Sequence, residues 1–223
     1  MLLLAADTSG KHGSIALARC GPGDVCEVLE VVPLTGGTFS AQLVPQIAEL
    51  LTKHGFTKQD LEGFAVTSGP GSFTGLRVGL AAIKALAEVL EKPLAAVSLL
   101  EILAVTGGVT GEVTTALDAG RGEIYSGEYE AGNIPRLIAE RLLTKDEFLA
   151  QAKGRTVVTC ENAIASLGHA TASRIIEIDA PRSDAIARLG WRKIQAGQIV
   201  SPEDLEANYI RRSDAEIFSK PRV

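Results

Sequence analysis

Two aspartates and one glycine-rich segment are the residues of this chain whose types and spacing could do chemistry. The segment is Gly69-Pro70-Gly71-Ser72-Phe73-Thr74-Gly75-Leu76-Arg77, set between an apolar strand-like run, 61–67, and a long apolar stretch, 76–90. A strand that turns through glycines into a helix gathers backbone amides at the positive helix end, which suits an anion or a close backbone contact. Gly69 and Gly71 relax the limits on φ, Pro70 stiffens the turn, and Ser72 or Thr74 can cap the helix. No Gly-Lys-Ser/Thr closes the segment, so it is not a Walker loop. Its Gly-x-Gly-x-x-x-Gly spacing is also one residue longer than the dinucleotide fingerprint. A capped helix start that only packs is the competing reading. Asp7, in Asp7-Thr8-Ser9-Gly10, and Asp118, in Asp118-Ala119-Gly120-Arg121-Gly122, stand with Arg77 and Arg121 as the charged residues of the glycine-rich turns. Each carboxylate can face a ligand or bond its own turn amides, as Asx turns do.

Other catalytic equipment is thin. His12, His54 and His169 are isolated in sequence, and no His-x-x-x-His, His-Glu-x-x-His or cysteine quartet offers a metal cage. There is no Gly-x-Ser-x-Gly elbow. No metal site is expected.

The turns need strands to hold them. Leu2 to Ala6 reads as a short apolar strand, followed by the Asp7 turn and a strand from Ser14 to Ala18. The pattern returns downstream as a strand from Val113 to Leu117, the Asp118 turn, and a return strand from Glu123 to Tyr129. Such a repeat implies a duplicated domain, each half opening on a β-hairpin. The first half continues with a strand from Val25 to Pro33, a helix from about Phe39 to His54, the strand before the glycine segment, a helix from Leu76, and a strand from Leu94 to Val97. The second half adds a strand from Thr156 to Cys160 and helices over 145–152 and 181–196. Hairpins followed by alternating helix and strand predict an α/β fold with mixed sheets flanked by helices. The seam is placed at the glycine-dense linker 106–111, which divides a first lobe, 1–105, from a second, 106–223. Duplicated halves of this shape resemble the actin/Hsp70/sugar-kinase (RNase H-like) architecture, where the aspartate of each hairpin turn faces a nucleotide and its metal.

Two helices of the first half stand out for their surfaces. Over 76–90 only Arg77, Lys84 and Glu88 are charged, so the helix is apolar nearly all round and must be covered on more than one side. Small residues such as Gly79, Ala81, Ala82 and Ala85 permit close approach of a partner helix, with Leu76, Leu80, Ile83 and Leu86 supplying apolar bulk. The preceding helix offers a stripe of Phe39, Leu43 and Ile47. The pair reads either as an interaction surface or as internal packing of one helix on the other.

Apolar residues make up 46% of 223 residues and mean hydropathy is +0.18, enough for a sizeable core. Net charge is -5 with a pI near 5.3, the wrong sign for a chain that grips nucleic acid unaided. Cys20, Cys26 and Cys160 are odd in number and lack Cys-x-x-Cys spacing, which fits small buried thiols in a reduced cytoplasm. The start lacks a basic leader, and no apolar run approaches the length of a membrane span. A cytoplasmic protein without a membrane partner is expected. Arg211-Arg212 with Lys220 and Arg222 make the tail locally basic, diluted by Asp214 and Glu216.

Taken in order, Asp7-Thr8-Ser9, the segment Gly69 to Gly79, Leu117-Asp118-Ala119-Gly120-Arg121-Gly122-Glu123-Ile124-Tyr125 and Tyr209-Ile210-Arg211 resemble the bacterial TsaB (YeaZ) family. The resemblance implies an actin-like two-lobed fold and a role in making N6-threonylcarbamoyladenosine beside the anticodon of tRNAs that read codons beginning with A. It implies a non-catalytic subunit that pairs with a related enzyme, TsaD, which holds the metal and transfers the threonylcarbamoyl group from its ATP-derived adenylate. An ATPase, TsaE, completes the assembly, and tRNA is met through the complex. The pairing, and a homodimer in isolation, would use the two first-lobe helices. By the same resemblance Asp7, Thr8, Ser9, Gly71, Ser72, Arg77, Asp118 and Arg121 are the candidate contacts to a nucleotide or anion, although no cofactor is expected on this chain alone. Phe39 and Leu43 fall near the positions of the enzyme's two metal-binding histidines, and Cys160-Glu161-Asn162-Ala163 falls where kinase-like relatives hold adenosine. The alternative function is an ATP-dependent enzyme of the sugar-kinase class acting by itself, with Asp7 and Asp118 around Mg-ATP.

Overall fold

Strands with no polar face end up with neighbours on both sides. Leu2–Asp7 (β1) and Gly63–Gly69 (β4) are buried at every residue, and they pair in parallel at the centre of a first sheet. His12–Cys20 (β2) and Cys26–Thr35 (β3) fold back antiparallel beside β1, and Leu94–Ser98 (β5) extends the parallel side, giving the order β3-β2-β1-β4-β5. The computed structural model describes residues 1–171 and 174–211. The tail residues Arg212, Asp214, Glu216, Lys220 and Arg222 lie outside the described residues, as does the side chain of His169.

The second sheet repeats the first strand for strand. Glu112–Gly120 (β6), Glu123–Glu130 (β7) and Arg136–Thr144 (β8) form the antiparallel part, and Thr156–Thr159 (β9) and Arg174–Glu177 (β10) the parallel part. The order β10-β9-β6-β7-β8 is the same arrangement read from the other end. The helices repeat too. Phe39–Lys53 (α1), Phe73–Leu90 (α2) and Leu99–Thr106 (α3) follow β3, β4 and β5, just as Lys145–Ala152 (α4), Asn162–Thr171 (α5) and Ser183–Gln195 (α6) follow β8, β9 and β10. The duplicated α/β fold with two mixed, helix-flanked sheets is thus observed. Four elements were not anticipated: α3, β8, α5 and β10.

Each half uses its first two helices to cover the outer face of its own sheet. Leu43, Ile47, Leu50, Leu76, Leu80 and Ile83 pack α1 and α2 onto Leu4, Leu17 and Phe64. Phe148, Ala152 and Ile164 do the same for α4 and α5 on Ala116 and Val157. The third helices lie between the sheets and trade places. α3 sets Leu100, Leu103 and Ala104 against Val113, Tyr129 and Val158 of the second sheet. α6 sets Ile186, Ala187 and Leu189 against Ala5, Ala16 and Ala65 of the first. Gly190 makes that contact close, since a Cβ there would stand 2.3 Å from the Ala65 Cβ. The start of α6 is tied to β2, where the Ser183 hydroxyl donates to the Ser14 carbonyl at 2.6 Å and the Ser183 amide to the Ser14 hydroxyl at 3.0 Å. Lys193 of α6 and Glu101 of α3 form a largely buried ion pair at 2.9 Å.

Candidate functional site

The two aspartate turns face a common cleft between the sheets. The cleft encloses about 1000 Å³ and is lined from one side by Asp7, Ser9 to His12 and Pro70 to Ser72, and from the other by Leu117 to Gly120, Tyr125, Cys160 and Glu161. Leu99 and Leu103 of α3 give it an apolar floor, and Arg211 closes one edge. Of the candidate ligand contacts, Asp7, Ser9, Gly71, Ser72 and Asp118 line this space. Thr8, Arg77 and Arg121 do not. The Thr8 hydroxyl donates to the Gly75 carbonyl at 2.7 Å. Arg77 lies over the Phe73 ring at 3.7 Å and donates from Nε to the Tyr209 hydroxyl at 3.1 Å. Arg121 stands exposed at the tip of the β6–β7 turn with φ of 59°.

Both aspartates are Asx turns. Asp7 Oδ1 accepts from the Ser9 amide at 2.9 Å and the Ser9 hydroxyl at 2.6 Å, and Asp118 Oδ1 accepts from the Gly120 amide at 2.8 Å. Burial pushes the Asp7 carboxyl above its ordinary range, against the pull of the Ser9 hydrogen bonds. Across the cleft, Glu161 accepts from the Asp118 amide at 2.5 Å. Burial raises its carboxyl too, with that bond pulling down and the Asp118 charge pushing up. The neighbouring Cys160 thiol is pushed up to about 11, first by burial and then by the Glu161 charge.

The glycine segment has a packing explanation that its sequence left open. Cβ atoms at Gly71, Gly75 and Gly79 would stand 2.5 Å from Ser9 O, 2.1 Å from Thr8 O and 2.3 Å from Thr8 Oγ1. Three glycines spaced four apart therefore form a groove along α2 into which the Asp7 turn settles. At the helix start, Ser72 N donates to Ser9 O at 2.6 Å, Gly75 N to Ser72 Oγ at 3.3 Å and Leu76 N to Ser72 O at 2.8 Å. Gly69, with φ of 132°, lies against the Asn208 carbonyl, and the Asn208 amide donates to Ser68 O at 2.7 Å. The Tyr209-Ile210-Arg211 segment thereby returns to the glycine loop. Tyr209 packs on Phe73 with centroids 5.2 Å apart, while Arg211 donates to Gly120 O at 3.2 Å and to Glu123.

Among the described residues no three His, Cys, Asp or Glu side chains converge. Phe39 and Leu43 are buried against the first sheet, with Phe39 packed so tightly on Gly13 that a Cβ on that glycine would lie 2.8 Å from its ring. The carboxylates of the cleft accept from turn amides.

The interface residues need a correction. Phe39, Leu43, Ile47, Leu76, Gly79, Leu80 and Ile83 are buried inside this chain, and Ala82 and Leu86 are half-buried against the same cluster. The bulky side chains of both helices turn inward onto Leu4, Leu17 and Phe64 of the sheet. What faces outward is Ala41, Val44, Pro45 and Ala48 on α1 and Ala81, Ala85 and Val89 on α2. Val44 is 61% exposed and Val89 76%. The surface reading passes to these residues, and the internal-packing reading holds for the first set.

Known proteins add the context. The family model described as TsaD, tRNA N6-adenosine threonylcarbamoyltransferase, matches residues 31–177, more than half of the chain. The chain belongs to the TsaD family. Within that family the likeness over full length is to the TsaB (YeaZ) proteins. The chain is 29% identical to the tRNA threonylcarbamoyladenosine biosynthesis protein TsaB of Bacillus subtilis over 97% of its own length and 96% of that protein's. It is 29% identical to the protein of the same name from Escherichia coli, with 96% of each covered. A crystal structure from Pseudomonas aeruginosa, described as similar to peptidase YEAZ, superposes with a TM-score of 0.75 at 26% identity, covering 94% of this chain and 99% of that one. YeaZ from the same organism superposes with a TM-score of 0.72 at 23% identity, over 93% of this chain and 100% of that one, and so supports the fold. The TsaD-family match contains α1, α2, the glycine segment and the Asp118 side of the cleft, while the Asp7 turn and Arg211 lie outside it; it ends at β10, before α6 begins.

Several cleft residues were not singled out from sequence. Leu99 and Leu103 sit on the unanticipated α3, and Glu161 was noted only for its place in an adenosine-binding region. The signal available for Glu161 was a lone acid just after an apolar strand, which is too short a pattern to carry a role.

Proposed function

We propose that this chain is a non-catalytic, activating subunit of the assembly that makes N6-threonylcarbamoyladenosine beside the anticodon of tRNA. The observation that carries this reading is the near-full-length similarity to TsaB proteins, in a chain whose cleft carboxylates accept from its own turn amides. The partner is TsaD, docked on the outward face of α1 and α2, where apolar residues of small bulk let a second pair of helices approach. The same face carries a homodimer when TsaD is absent. TsaE joins as the ATPase, tRNA is held through the complex, and the assembly works in the cytoplasm. The metal and the ATP-derived threonylcarbamoyl-adenylate belong to the partner's site, and no cofactor belongs to this chain alone. Among the described residues, no helix is long and apolar enough to cross a membrane.

The test is reconstitution. The chain is co-purified with TsaD and TsaE, and threonylcarbamoyladenosine is measured in tRNA with and without it. A complex that forms and needs this chain for turnover supports the proposal. Full modification by TsaD and TsaE alone, or turnover of ATP by this chain alone that Asp7→Ala abolishes, overturns it.

A further inference from the structure

Cys20 ends β2 and Cys26 begins β3, and the two are direct partners across the antiparallel ladder. The backbone of Cys20 is spent on the other side. Its amide donates to Met1 O at 2.8 Å, and its carbonyl accepts from the Met1 amino group at 2.8 Å. Cys20 and Cys26 are therefore a non-hydrogen-bonded pair, the kind in which side chains stand closest. Directly opposed residues of that kind have the Cα and Cβ separations that a disulfide requires. Their Sγ atoms lie 2.8 Å apart, closer than two sulfur atoms in plain van der Waals contact, and both thiols are free and buried.

The tip that the pair closes is held in place by several bonds. Gly21 N donates to Val25 O at 2.9 Å, sealing the turn directly above the two sulfurs. Trp191 Nε1 donates to Gly21 O and Gly23 O, each at 3.1 Å, and Arg188 donates to Cys26 O at 2.9 Å. Asp24 at the exposed tip pairs with Arg192 at 3.2 Å and reaches Asn133 in the β7–β8 turn at 3.4 Å. The dithiol thus sits under a clasp joining the first sheet, α6 and the second half.

We propose that Cys20 and Cys26 are a redox-active pair that closes reversibly into an intramolecular disulfide, with a small-molecule or protein disulfide as the oxidant. The contact with Cys20 and the Arg188 and Arg192 charges favour a thiolate at Cys26 against the effect of its burial, so Cys26 is the attacking sulfur. Cys26 attacks one sulfur of the oxidant RSSR, breaking that S–S bond and releasing RS⁻. The Cys20 sulfur, losing its proton, then attacks Cys26 in the mixed disulfide and expels the second RS⁻. Two protein thiols are oxidised to one disulfide, RSSR is reduced to two RSH, and the two thiol protons leave with them. Entry needs the exposed tip, 22–25, to swing away from Trp191, so the clasp sets the rate.

The test uses the full chain equilibrated with mixtures of glutathione and glutathione disulfide, quenched in acid, alkylated after denaturation and mapped by mass. Cys20 and Cys26 share one tryptic peptide, 20–53, free of internal Lys or Arg. Under oxidising mixtures that peptide should lose two hydrogens and take no alkyl group, and dithiothreitol should reverse the change. The emission of Trp191, the single tryptophan, should shift with it. Cys20→Ser should instead leave Cys26 carrying one glutathione. Trp191→Phe, which frees the tip, should speed closure at least tenfold. Alkylation of both thiols at every ratio, closure only in urea, or oxidation confined to Cys160 overturns the proposal.

Discussion

Leu43 and Val44 are sequence neighbours on α1 with opposite fates, 1% and 61% exposed. The same charge placed at each separates a core from an interface. Leu43→Arg removes a buried leucine worth about 1.5–3 kcal/mol and puts an unpaired guanidinium among Leu17, Ile47 and Phe64, a desolvation cost of several kcal/mol more. The sum exceeds about 5 kcal/mol, the low end of the stability of a whole domain, so this variant should be unfolded or aggregated. Val44→Arg removes little buried area and replaces a β-branched residue by a better helix former, so the isolated chain should keep its stability within about 0.5 kcal/mol. Docked against TsaD, the same arginine is an unpaired charge in an apolar centre, and loss of about 3–5 kcal/mol corresponds to roughly a 100- to 5,000-fold weaker complex. Urea denaturation reads the first quantity and titration calorimetry with TsaD the second, with tRNA modification falling in parallel. A folded Leu43→Arg of wild-type stability would refute the burial argument. A Val44→Arg that stays folded and binds TsaD as the wild type does would place the contact on another face.

Gly79→Ala should destabilise by about 1–3 kcal/mol in urea, because the new methyl meets Thr8 Oγ1; added Thr8→Ala should recover part of the loss, so the pair is non-additive. The Asp7 carboxyl is raised by burial, so the native state holds its proton longer than the unfolded chain. That contribution to stability is present at low pH and is lost as pH rises from the ordinary carboxyl value near 3.8 through the folded one. Asp7→Asn keeps an acceptor for Ser9 without the charge, so its advantage over wild type should grow with pH over that window; a difference that shrinks with pH is the contrary result. Glu140 accepts from the Ser98 hydroxyl at 2.7 Å, from Tyr129 and from Asn208. Glu140→Ala should cost about 1–3 kcal/mol by leaving the buried Tyr129 hydroxyl unpaired, and Tyr129→Phe in that background should restore much of it in urea melts.

The duplication was legible in sequence because strong local signals mark it twice. Leu2 to Ala6 and Val113 to Leu117 are short apolar runs that end on an aspartate and a small-residue turn, and both became the central strands that begin each half. The elements that escaped have weak signals of their own. β10 is four residues long, α5 draws half its residues from alanine, serine and glycine, and β8 leaves the consecutive Leu137 and Ile138 both exposed where its register with β7 shifts, so alternation fails there. α3 reads as a short apolar run broken only by Glu101, because it is wedged between the sheets with too little polar face to set a period. For the site, type and spacing located the turns but not their use. Whether the glycines face a phosphate or a threonine turn is decided by Thr8 and Ser9, more than sixty residues away. The inward and outward stripes of α2 were confused because alanine serves on either side, and only the leucines and isoleucine reveal which face meets the sheet.

The exchange of α3 and α6 bears on where such a chain came from and how it can be cut. A first half made alone would keep only Ile102 of its third helix on its own sheet, leaving Leu100, Leu103 and Ala104 uncovered and one sheet face without α6. Two copies of such a half would cure each other by trading those helices, so the present chain has the topology of a swapped pair of ancestors joined end to end. Cleavage in the linker between α3 and β6 should accordingly yield two complementing fragments that refold only together. Neither fragment should fold alone, because each leaves a sheet face that the other fragment's third helix covers.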